Sequence, residues 1–136
     1  MYLQSRNGKN LSSYFPEITR AVRTTVPAGT VLDGELVIWE PERERTSFAL
    51  LQRRITAGAR VLQLARARPA HYIVFDVLAD QRGPLVELPL TARRDRLVAL
   101  LADGPAVLQV SPQTSDPHEA RQWLETWSAA GVEGLL

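Results

Sequence analysis

Two apolar stretches of the chain have the length and composition of buried β-strands. Residues Thr30 to Glu40 and Ala70 to Ala79 are rich in β-branched and aromatic residues, and turn-forming segments flank both. Val107 to Val110 is a shorter candidate of the same kind, and Val132 to Leu136 is a fourth at the end of the chain. The pattern therefore predicts four strands.

The clearest helical pattern lies between Asp116 and Gly131. Asp116 is suited to the N-cap, Pro117 to the first helical position, and Glu119 completes a capping-box pattern. Apolar residues then recur at the spacing of one helix face: Ala120, Trp123, Leu124 and Trp127.

Three further segments predict helices. Ser47 to Ile55 places Phe48, Leu51 and Ile55 on one face, and Thr91 to Ala102 does the same for Leu97, Val98 and Leu101. Ser13, three residues before Pro16, is expected to open a helix that runs to about Val26. Helices and strands then alternate along the chain, which predicts an α/β or α+β domain with helices covering a sheet.

Composition limits the possible chemistry. The chain of 136 residues fits one globular domain, and a net charge of +1 means that any contact with nucleic acid must come from a local patch. Cysteine is absent and the two histidines, His71 and His118, lie far apart, so a zinc site is not expected. No apolar run is long enough to span a membrane, and we expect a cytoplasmic protein.

The sequence Asp33-Gly34-Glu35 lies inside an apolar strand. Asp33 and Glu35 point to the same face, where they need water, a metal ion or a polar ligand. An isolated sequence of this kind more often marks an exposed edge or a bulge in which Gly34 permits a close backbone approach. Both interpretations stay open on this motif alone.

Other candidates are equally ambiguous when taken one at a time. Phe75-Asp76 would stack on a base and bind its polar edge, although a strand aromatic usually belongs to a core. Glu133 is a possible Mg²⁺ ligand and Arg6, in a turn, a possible phosphate contact, although solvent-facing roles are commoner for both. The arginine-rich segments Arg53-Arg54 and Arg93 to Arg96 are expected to be solvated helix faces.

Six segments in order resemble the adenylation domain of ATP-dependent DNA ligases, within the covalent nucleotidyltransferase superfamily. They are Ser5-Arg6-Asn7-Gly8 with Tyr14-Phe15-Pro16-Glu17, Leu32 to Val37 around D-G-E, Ser47 to Arg54 as the helix after it, Tyr72 to Leu78 around F-D-x-L, Pro89 to Leu97, and Val132 to Leu136, similar to the start of E-G-x-V. The resemblance covers nearly all 136 residues. It implies an α+β fold of antiparallel or mixed sheets flanked by helices, in the ATP-grasp-like nucleotidyltransferase class.

The resemblance also implies roles for single residues. Phe75 would stack on adenine, Glu35 would contact the ribose, Arg6 would contact the nucleotide or the 5′-phosphate of a nick, and Glu133 would support Mg²⁺. The substrates implied are ATP and nicked double-stranded DNA, in an enzyme expected to be a monomer at full length. The family forms an enzyme–AMP and then a DNA–adenylate intermediate before the nick is sealed.

The family's nucleophile is the lysine of K-x-D-G, which is expected upstream of Ser5. The single lysine, Lys9, is followed by Asn10-Leu11-Ser12 and does not match that motif. We therefore expect residues 1–136 to be the central part of an adenylation domain, without the last motif and the oligonucleotide-binding-fold domain, and unable to react alone. The alternatives are a non-catalytic remnant or nucleotide-binding module, or a sister RNA ligase or capping guanylyltransferase.

Overall fold

A computed structural model describes residues 1–132, 134 and 135 of the chain. Within these residues, five helices and five strands follow one another: α1 (Pro16–Thr25), β1 (Val31–Glu40), β2 (Arg45–Thr46), α2 (Phe48–Ile55), α3 (Val61–Ala67), β3 (Ala70–Asp80), β4 (Gly83–Pro84), α4 (Leu90–Leu101), β5 (Leu108–Val110) and α5 (Pro117–Trp127). Short 3₁₀ turns lie at Pro41–Arg43, Gly58–Arg60 and Ser128–Ala130.

The two long strands, β1 and β3, form the centre of one sheet. They pair antiparallel from Val31 opposite Ala79 to Ile38 opposite Ala70. The sheet order is β2-β1-β3-β4, and β5 pairs with β3 in parallel at Tyr72. The fold is thus α+β, with a mainly antiparallel sheet flanked by helices, as predicted.

One face of this sheet packs against α1 and α4. Phe15, Ile18 and Leu97 are almost fully buried there, against Val74 of β3 and Ile38 of β1. Because side chains alternate along a strand, the neighbours of these sheet residues point to the opposite face. This helix-covered side is called the closed face below.

The glycine of the D-G-E motif is required by a close approach between β1 and β3. A Cβ atom added at Gly34 would lie 2.5 Å from the carbonyl oxygen of Ile73 and 2.7 Å from Cε2 of Tyr72. The register shifts between Asp33 and Gly34, so a bulge lies at the same point. The structural interpretation of Gly34 is therefore confirmed.

Arg54 is buried, and the prediction that it belongs to a solvated face was wrong. Its guanidinium donates to Oε1 of Glu17 at 2.7 Å and to the carbonyl oxygen of Arg68 at 2.8 Å, and it lies over the ring of Phe15. The same Glu17 oxygen accepts from the backbone N–H of Ala70 at 2.8 Å. Burial of this arginine is possible because a carboxylate and carbonyl groups satisfy its charge and donors.

The arginines of α4 are also paired rather than freely solvated. Arg93 binds Asp76 with two hydrogen bonds of 2.9 and 3.0 Å and donates to the carbonyl oxygen of Leu88. Arg94 donates to Ser111, and Arg96 forms an ion pair with Asp80. These pairs attach α4 to strand β3 and to the end of β5.

Two predicted helix faces were partly wrong. In α2, Phe48 is 72% exposed, and the inward side carries Leu50, Leu51 and Arg54 instead. In α4, Val98 is 48% exposed, because the inward side is centred on its neighbour Leu97. Both errors follow from assigning faces by hydrophobicity alone.

Element ends differ at several points. Helix α1 begins after Phe15 rather than near Ser13, and α3 and the two-residue strands β2 and β4 were not predicted. Asp116 caps α5 by accepting from the N–H of His118, but Glu119 accepts from Thr114 instead of completing the capping box. A final strand was predicted from Val132 to Leu136. Of these residues the structure describes 132, 134 and 135, and none of the three is in a strand.

Candidate functional site

An open cleft of about 890 Å³ lies on the sheet face opposite the closed face. Its floor is formed by outward side chains of β1, β3 and β5, and the segment after α5 forms a wall. The lining residues are Glu35, Val37, Trp39, Thr46, His71, Ile73, Phe75, Gln109, Ser111, Pro112, Ala130, Gly131, Val132, Gly134 and Leu135.

Strand register fixes the arrangement of the floor. Glu35 lies opposite Ile73, and Ile73 pairs on its other side with Gln109. These three residues form a row across β1, β3 and β5, and Phe75 lies two residues further along β3. The floor thus has a carboxylate on one side, an aromatic ring in the middle strand and an amide on the other side.

The structure brings two of the predicted site residues together. Glu35 is exposed and Phe75 is half-buried, and both line this cleft. Phe75 is therefore not part of the closed core, which was the competing interpretation of a strand aromatic. The roles of both residues towards a nucleotide stay predictions.

Arg6 lies elsewhere on the surface. It occupies a turn in which the N–H of Ser5 donates to the carbonyl oxygen of Lys9, and it is exposed and not among the residues lining the cleft. Glu133, the predicted Mg²⁺ ligand, lies outside the described residues, although Val132 and Gly134 beside it line the cleft. The predicted functions of Arg6 and Glu133 therefore stay predictions.

Asp76 does not serve the cleft in the way its neighbour Phe75 suggested. The register shift places its carboxylate against Arg93, and the N–H of Val77 donates to it at 2.8 Å. The Arg93 guanidinium holds the pKa of Asp76 below its ordinary value. Its acceptor atoms are thus used within the fold, and the proposed contact with the edge of a base was wrong.

Tyr72, whose side chain lies beneath the floor, is a second group with a shifted pKa. Burial, together with the negative charge of Asp33, raises the pKa of Tyr72 to about 12. Its hydroxyl donates to the carbonyl oxygen of Leu32 at 3.2 Å. Tyr72 therefore stays neutral at ordinary pH, and its hydrogen bond stabilises the position of β1, the strand that carries Asp33 and Glu35.

The wall of the cleft depends on Gly131. This residue has φ of +103°, and an added Cβ atom would lie 2.1 Å from Oγ1 of Thr46. Only glycine allows the backbone to lie this close to β2 in that conformation. Gly131 thus determines how the segment after α5 lies beside the floor.

Sequence reasoning missed Gln109, Trp39 and His71 as lining residues. The signal was present in the alternation along β3, where His71, Ile73 and Phe75 are interleaved with the buried Tyr72 and Val74. For Gln109 no local signal existed, because its position depends on pairing with a distant strand.

The oxygen chemistry of the cleft is compatible with a hard cation. Glu35 supplies a carboxylate there, and Mg²⁺ usually takes only one or two protein carboxylates beside phosphate and water oxygens. Within the described residues, no group of three or more metal-binding side chains occurs. A single carboxylate of this kind fits an ion that takes most of its ligands from phosphate and water oxygens.

A smaller cavity of about 570 Å³ lies near the end of β3. It is lined in part by Asp80, Arg82 and Arg96, and none of the predicted site residues belongs to it. Across the described residues, no helix combines the length and the apolar character that crossing a membrane requires.

Comparison with known proteins shows that the sequence of this chain is similar to DNA ligases. A family model described as "ATP dependent DNA ligase domain" matches residues 1–136. DNA ligase C1 of Mycolicibacterium smegmatis is 39% identical over 137 residues, which cover 98% of this chain and 39% of that protein. DNA ligase C of Mycobacterium tuberculosis is 35% identical over 139 residues, covering 98% of this chain and 38% of that protein.

A more distant relative is the DNA ligase of Haloferax volcanii, 30% identical over 134 residues, with 98% of this chain and 23% of that protein covered. The chain therefore spans between 23% and 39% of the length of these three relatives. The match of the family model over all 136 residues agrees with the order of the motifs and shows that the chain belongs to the ATP-dependent DNA ligase domain family.

Proposed function

We propose that this chain provides the nucleotide-binding cleft of an ATP-dependent DNA ligase that seals nicks in double-stranded DNA. The proposal includes the nucleotidyltransferase class of fold, a cytoplasmic location and a monomeric full-length enzyme. Its support is the family membership together with an open cleft on the sheet face opposite the closed face.

The observation that carries the proposal is the shared cleft of Glu35 and Phe75. An aromatic ring on a cleft floor is a stacking platform for a base, and base stacking on such a ring contributes about 1–3 kcal/mol. A carboxylate on the adjacent strand is an acceptor for the hydroxyl groups of a ribose. Adenine over Phe75 and ribose over Glu35 is therefore the orientation we propose.

Two further roles complete the proposal. Arg6 contacts a phosphate of the nucleotide or of the nick, since a guanidinium is always charged and binds phosphate oxygens in pairs. Glu133 supports Mg²⁺, which when bound would neutralise phosphate charge during transfer of the adenylyl group.

The reaction proposed for the full-length enzyme begins with a lysine of K-x-D-G, a motif that residues 1–136 do not contain. Its amine attacks the α-phosphate of ATP and pyrophosphate leaves. The 5′-phosphate at the nick then takes the AMP, and the 3′-hydroxyl displaces AMP to form the phosphodiester.

Binding of AMP tests the cleft directly. We expect isothermal titration calorimetry to show AMP binding by the chain, and Phe75→Ala to weaken it about 5- to 150-fold. Phe48→Ala is the matched control, because Phe48 is an exposed phenylalanine that does not line the cleft. Equal affinity of the Phe75→Ala variant and the unaltered chain would contradict the proposal.

We also propose that the chain alone is not covalently adenylated. Its single lysine, Lys9, lies in the N-terminal turn with Nζ 5.3 Å from the ring centre of Tyr14 and does not line the cleft. Incubation with α-labelled ATP and Mg²⁺ should leave no labelled band on a denaturing gel. A labelled band that Lys9→Ala abolishes would overturn this proposal.

A further inference from the structure

We propose that Arg93 is a positioning residue for nucleotide binding: its two hydrogen bonds to Asp76 hold the backbone of β3 in the conformation that turns the ring of Phe75 towards the cleft. The inference rests on the proposed nucleotide cleft. Arg93 itself does not line the cleft, so its effect on a ligand passes through Asp76 and the backbone of β3.

The first argument is the strand geometry at Phe75. In the pairing of β1 with β3, Val74 and Asp76 lie opposite two consecutive residues of β1. Phe75, between them, has no partner on β1 and is therefore the extra residue of a bulge. A bulge changes the direction of the side chain that it carries, and here that side chain lines the cleft.

The second argument is that this bulge reverses the alternation of side chains along β3. Val74 and Val77 are both almost fully buried in the core of the closed face. Residues three positions apart in a regular strand point to opposite faces, so both valines reach this core only because the bulge lies between them. A shift of one residue in a strand turns its side chains to the other face. The direction of the Phe75 ring therefore depends on a contact that keeps the bulge in place.

The third argument is the way in which Arg93 holds the residue after Phe75. Its Nε and Nη2 donate to the two carboxylate oxygens of Asp76 at 2.9 and 3.0 Å, and its Nη1 donates to the carbonyl oxygen of Leu88 at 2.6 Å. The N–H of Val77 donates to the same carboxylate at 2.8 Å. Two parallel hydrogen bonds between a guanidinium and a carboxylate fix direction as well as distance. Arg93 thus fixes the backbone on one side of the bulge.

The other side of the bulge is held by β5. The N–H of Ser111 donates to the carbonyl oxygen of Val74 at 2.8 Å. Phe75 therefore lies between one residue that is bound from β5 and another, Asp76, that is bound from α4. A ring held in this way is oriented before a ligand arrives, which lowers the entropy cost of binding.

A second ion pair between α4 and β3 offers a matched comparison. Arg96 binds Asp80 at 2.5 Å, at the end of β3 and away from the Phe75 bulge. The side chains of this pair are 41% and 28% exposed, whereas those of Arg93 and Asp76 are 16% and 17% exposed. Water and salt weaken an exposed ion pair more than a shielded one. Arg96 joins the same helix to the same strand without holding the bulge, so it serves as the control.

The test measures AMP binding by isothermal titration calorimetry. Arg93→Met should weaken AMP binding about fivefold or more, up to the effect of Phe75→Ala, because the stacking ring is no longer held over the floor. Arg96→Met should leave the dissociation constant of AMP unchanged. Asp76→Asn is a milder change that removes one of the two hydrogen bonds, and it should weaken binding in the same direction. It should add little to Arg93→Met in the double variant, since Arg93 acts through Asp76.

A spectroscopic measurement separates the position of the ring from stability. The chain has three phenylalanines, so labelling with 4-fluorophenylalanine gives three ¹⁹F signals, and the signal lost in Phe75→Leu is that of Phe75. This signal should shift or broaden in Arg93→Met and stay in place in Arg96→Met, with the signal of the exposed Phe48 as an internal reference. Thermal melts set a temperature at which every variant is folded.

The outcomes separate this inference from the proposed function. If Phe75→Ala weakens AMP binding but Arg93→Met does not, or if Arg93→Met and Arg96→Met weaken it equally, the role of Arg93 is wrong and the cleft assignment stands. Fully additive effects in the double variant would also overturn the role of Arg93. If AMP does not bind, or if Phe75→Ala has no effect, the nucleotide cleft itself is wrong, and the ¹⁹F signal still shows whether Arg93 orients the Phe75 ring.

Discussion

The two faces of the central sheet use similar residues in opposite ways. On the closed face, Phe15 is 1% exposed and packs beside Arg54, whose charge is satisfied by Glu17. On the cleft face, Phe75 is half-buried and Glu35 is exposed, and within the described part of the chain Glu35 has no hydrogen-bond or ion-pair partner. An aromatic ring next to a charged side chain thus stabilises the fold on one face and is available to a ligand on the other.

The difference teaches that pairing, not residue type, separates the charged side chains bound within the fold from those that face the cleft. Asp76 and Glu35 both belong to motifs of the ligase family, yet Asp76 is bound by Arg93 and Glu35 faces the cleft. Apart from the Arg93–Asp76 pair, substitutions on the closed face should therefore change stability, whereas those on the cleft face should change binding. Single substitutions on the two faces test that division.

The largest effect is expected for Arg54→Met. Removing the guanidinium leaves the buried negative charge of Glu17 without its counter-charge, and Oε2 of Glu17 already has no hydrogen-bond partner among the described residues. Loss of one partner of a buried ion pair costs about 3–5 kcal/mol, which urea denaturation should show as a lower free energy of unfolding. Arg53→Met, at the exposed neighbouring position, is the control and should be close to neutral. Equal stabilities of the two variants would contradict the role of the buried pair.

The next effect is expected for Gly34→Ala. The added methyl group would overlap Ile73 and Tyr72 at the bulge, and overpacking of this kind costs about 1–3 kcal/mol or more. Since Gly34 directly precedes Glu35 and its close neighbour Ile73 lies on the cleft floor, AMP binding should fall together with stability. Gly134→Ala is the control for stability alone, because an added Cβ there meets nothing within 4 Å but Gly134 itself lines the cleft. Unchanged stability of Gly34→Ala would contradict the claim that the close approach of β1 and β3 leaves no room for a Cβ atom at this position.

A smaller, pH-dependent effect is expected for Asp76→Asn. Because Arg93 lowers the pKa of Asp76 in the folded state, this group contributes stability above its unfolded pKa, and that contribution is lost as the pH falls through the lower folded pKa. Asp76→Asn should therefore be less stable near neutral pH and lose less further stability below about pH 4. Thermal melts across pH 2–7 measure this; parallel curves for the two chains would refute it.

The smallest effect is expected for Tyr72→Phe. It removes one hydrogen bond to the carbonyl oxygen of Leu32 and should cost about 1 kcal/mol. Since the folded pKa of about 12 lies above that of an exposed tyrosine, the contribution of Tyr72 is present at neutral pH and is lost as the pH rises towards 12. Absorbance titration at 295 nm should show one late-ionising tyrosine that disappears in Tyr72→Phe.

Local signals were sufficient for much of the fold. The cap at Asp116 and the β-branched composition of β1 and β3 depend on neighbouring residues, and both were predicted from the sequence. Strands β2 and β4 have only two residues each, which is too short for any periodicity. The inward side of α2 was missed because Arg54 is buried by Glu17, which is 37 positions away along the chain.

The candidate site, like the fold, could be predicted from local sequence patterns only in part. D-G-E and F-D-x-L, read in order with the other motifs, predicted Glu35 and Phe75, and the structure places both in one cleft. The opposite behaviour of Asp76 depends on Arg93 from α4, and the position of Gln109 depends on its pairing with β3. Such contacts arise only when distant segments meet, so no local pattern could reveal them.

The parallel pairing of β5 has a consequence for folding kinetics. Strands β3 and β5 run in the same direction, so the chain must return along the sheet between them, and α4 lies in that return segment. Pairing across such a connection incurs the entropy of closing a long loop before its contacts form. Strand β5 has only three residues with which to offset this cost, against ten in β1, so the third strand of the cleft floor is expected to join late. A ligand that spans β1 to β5 then finds its site only in the nearly complete fold. A bound ligand of this kind should slow unfolding of the chain while leaving its folding rate almost unchanged.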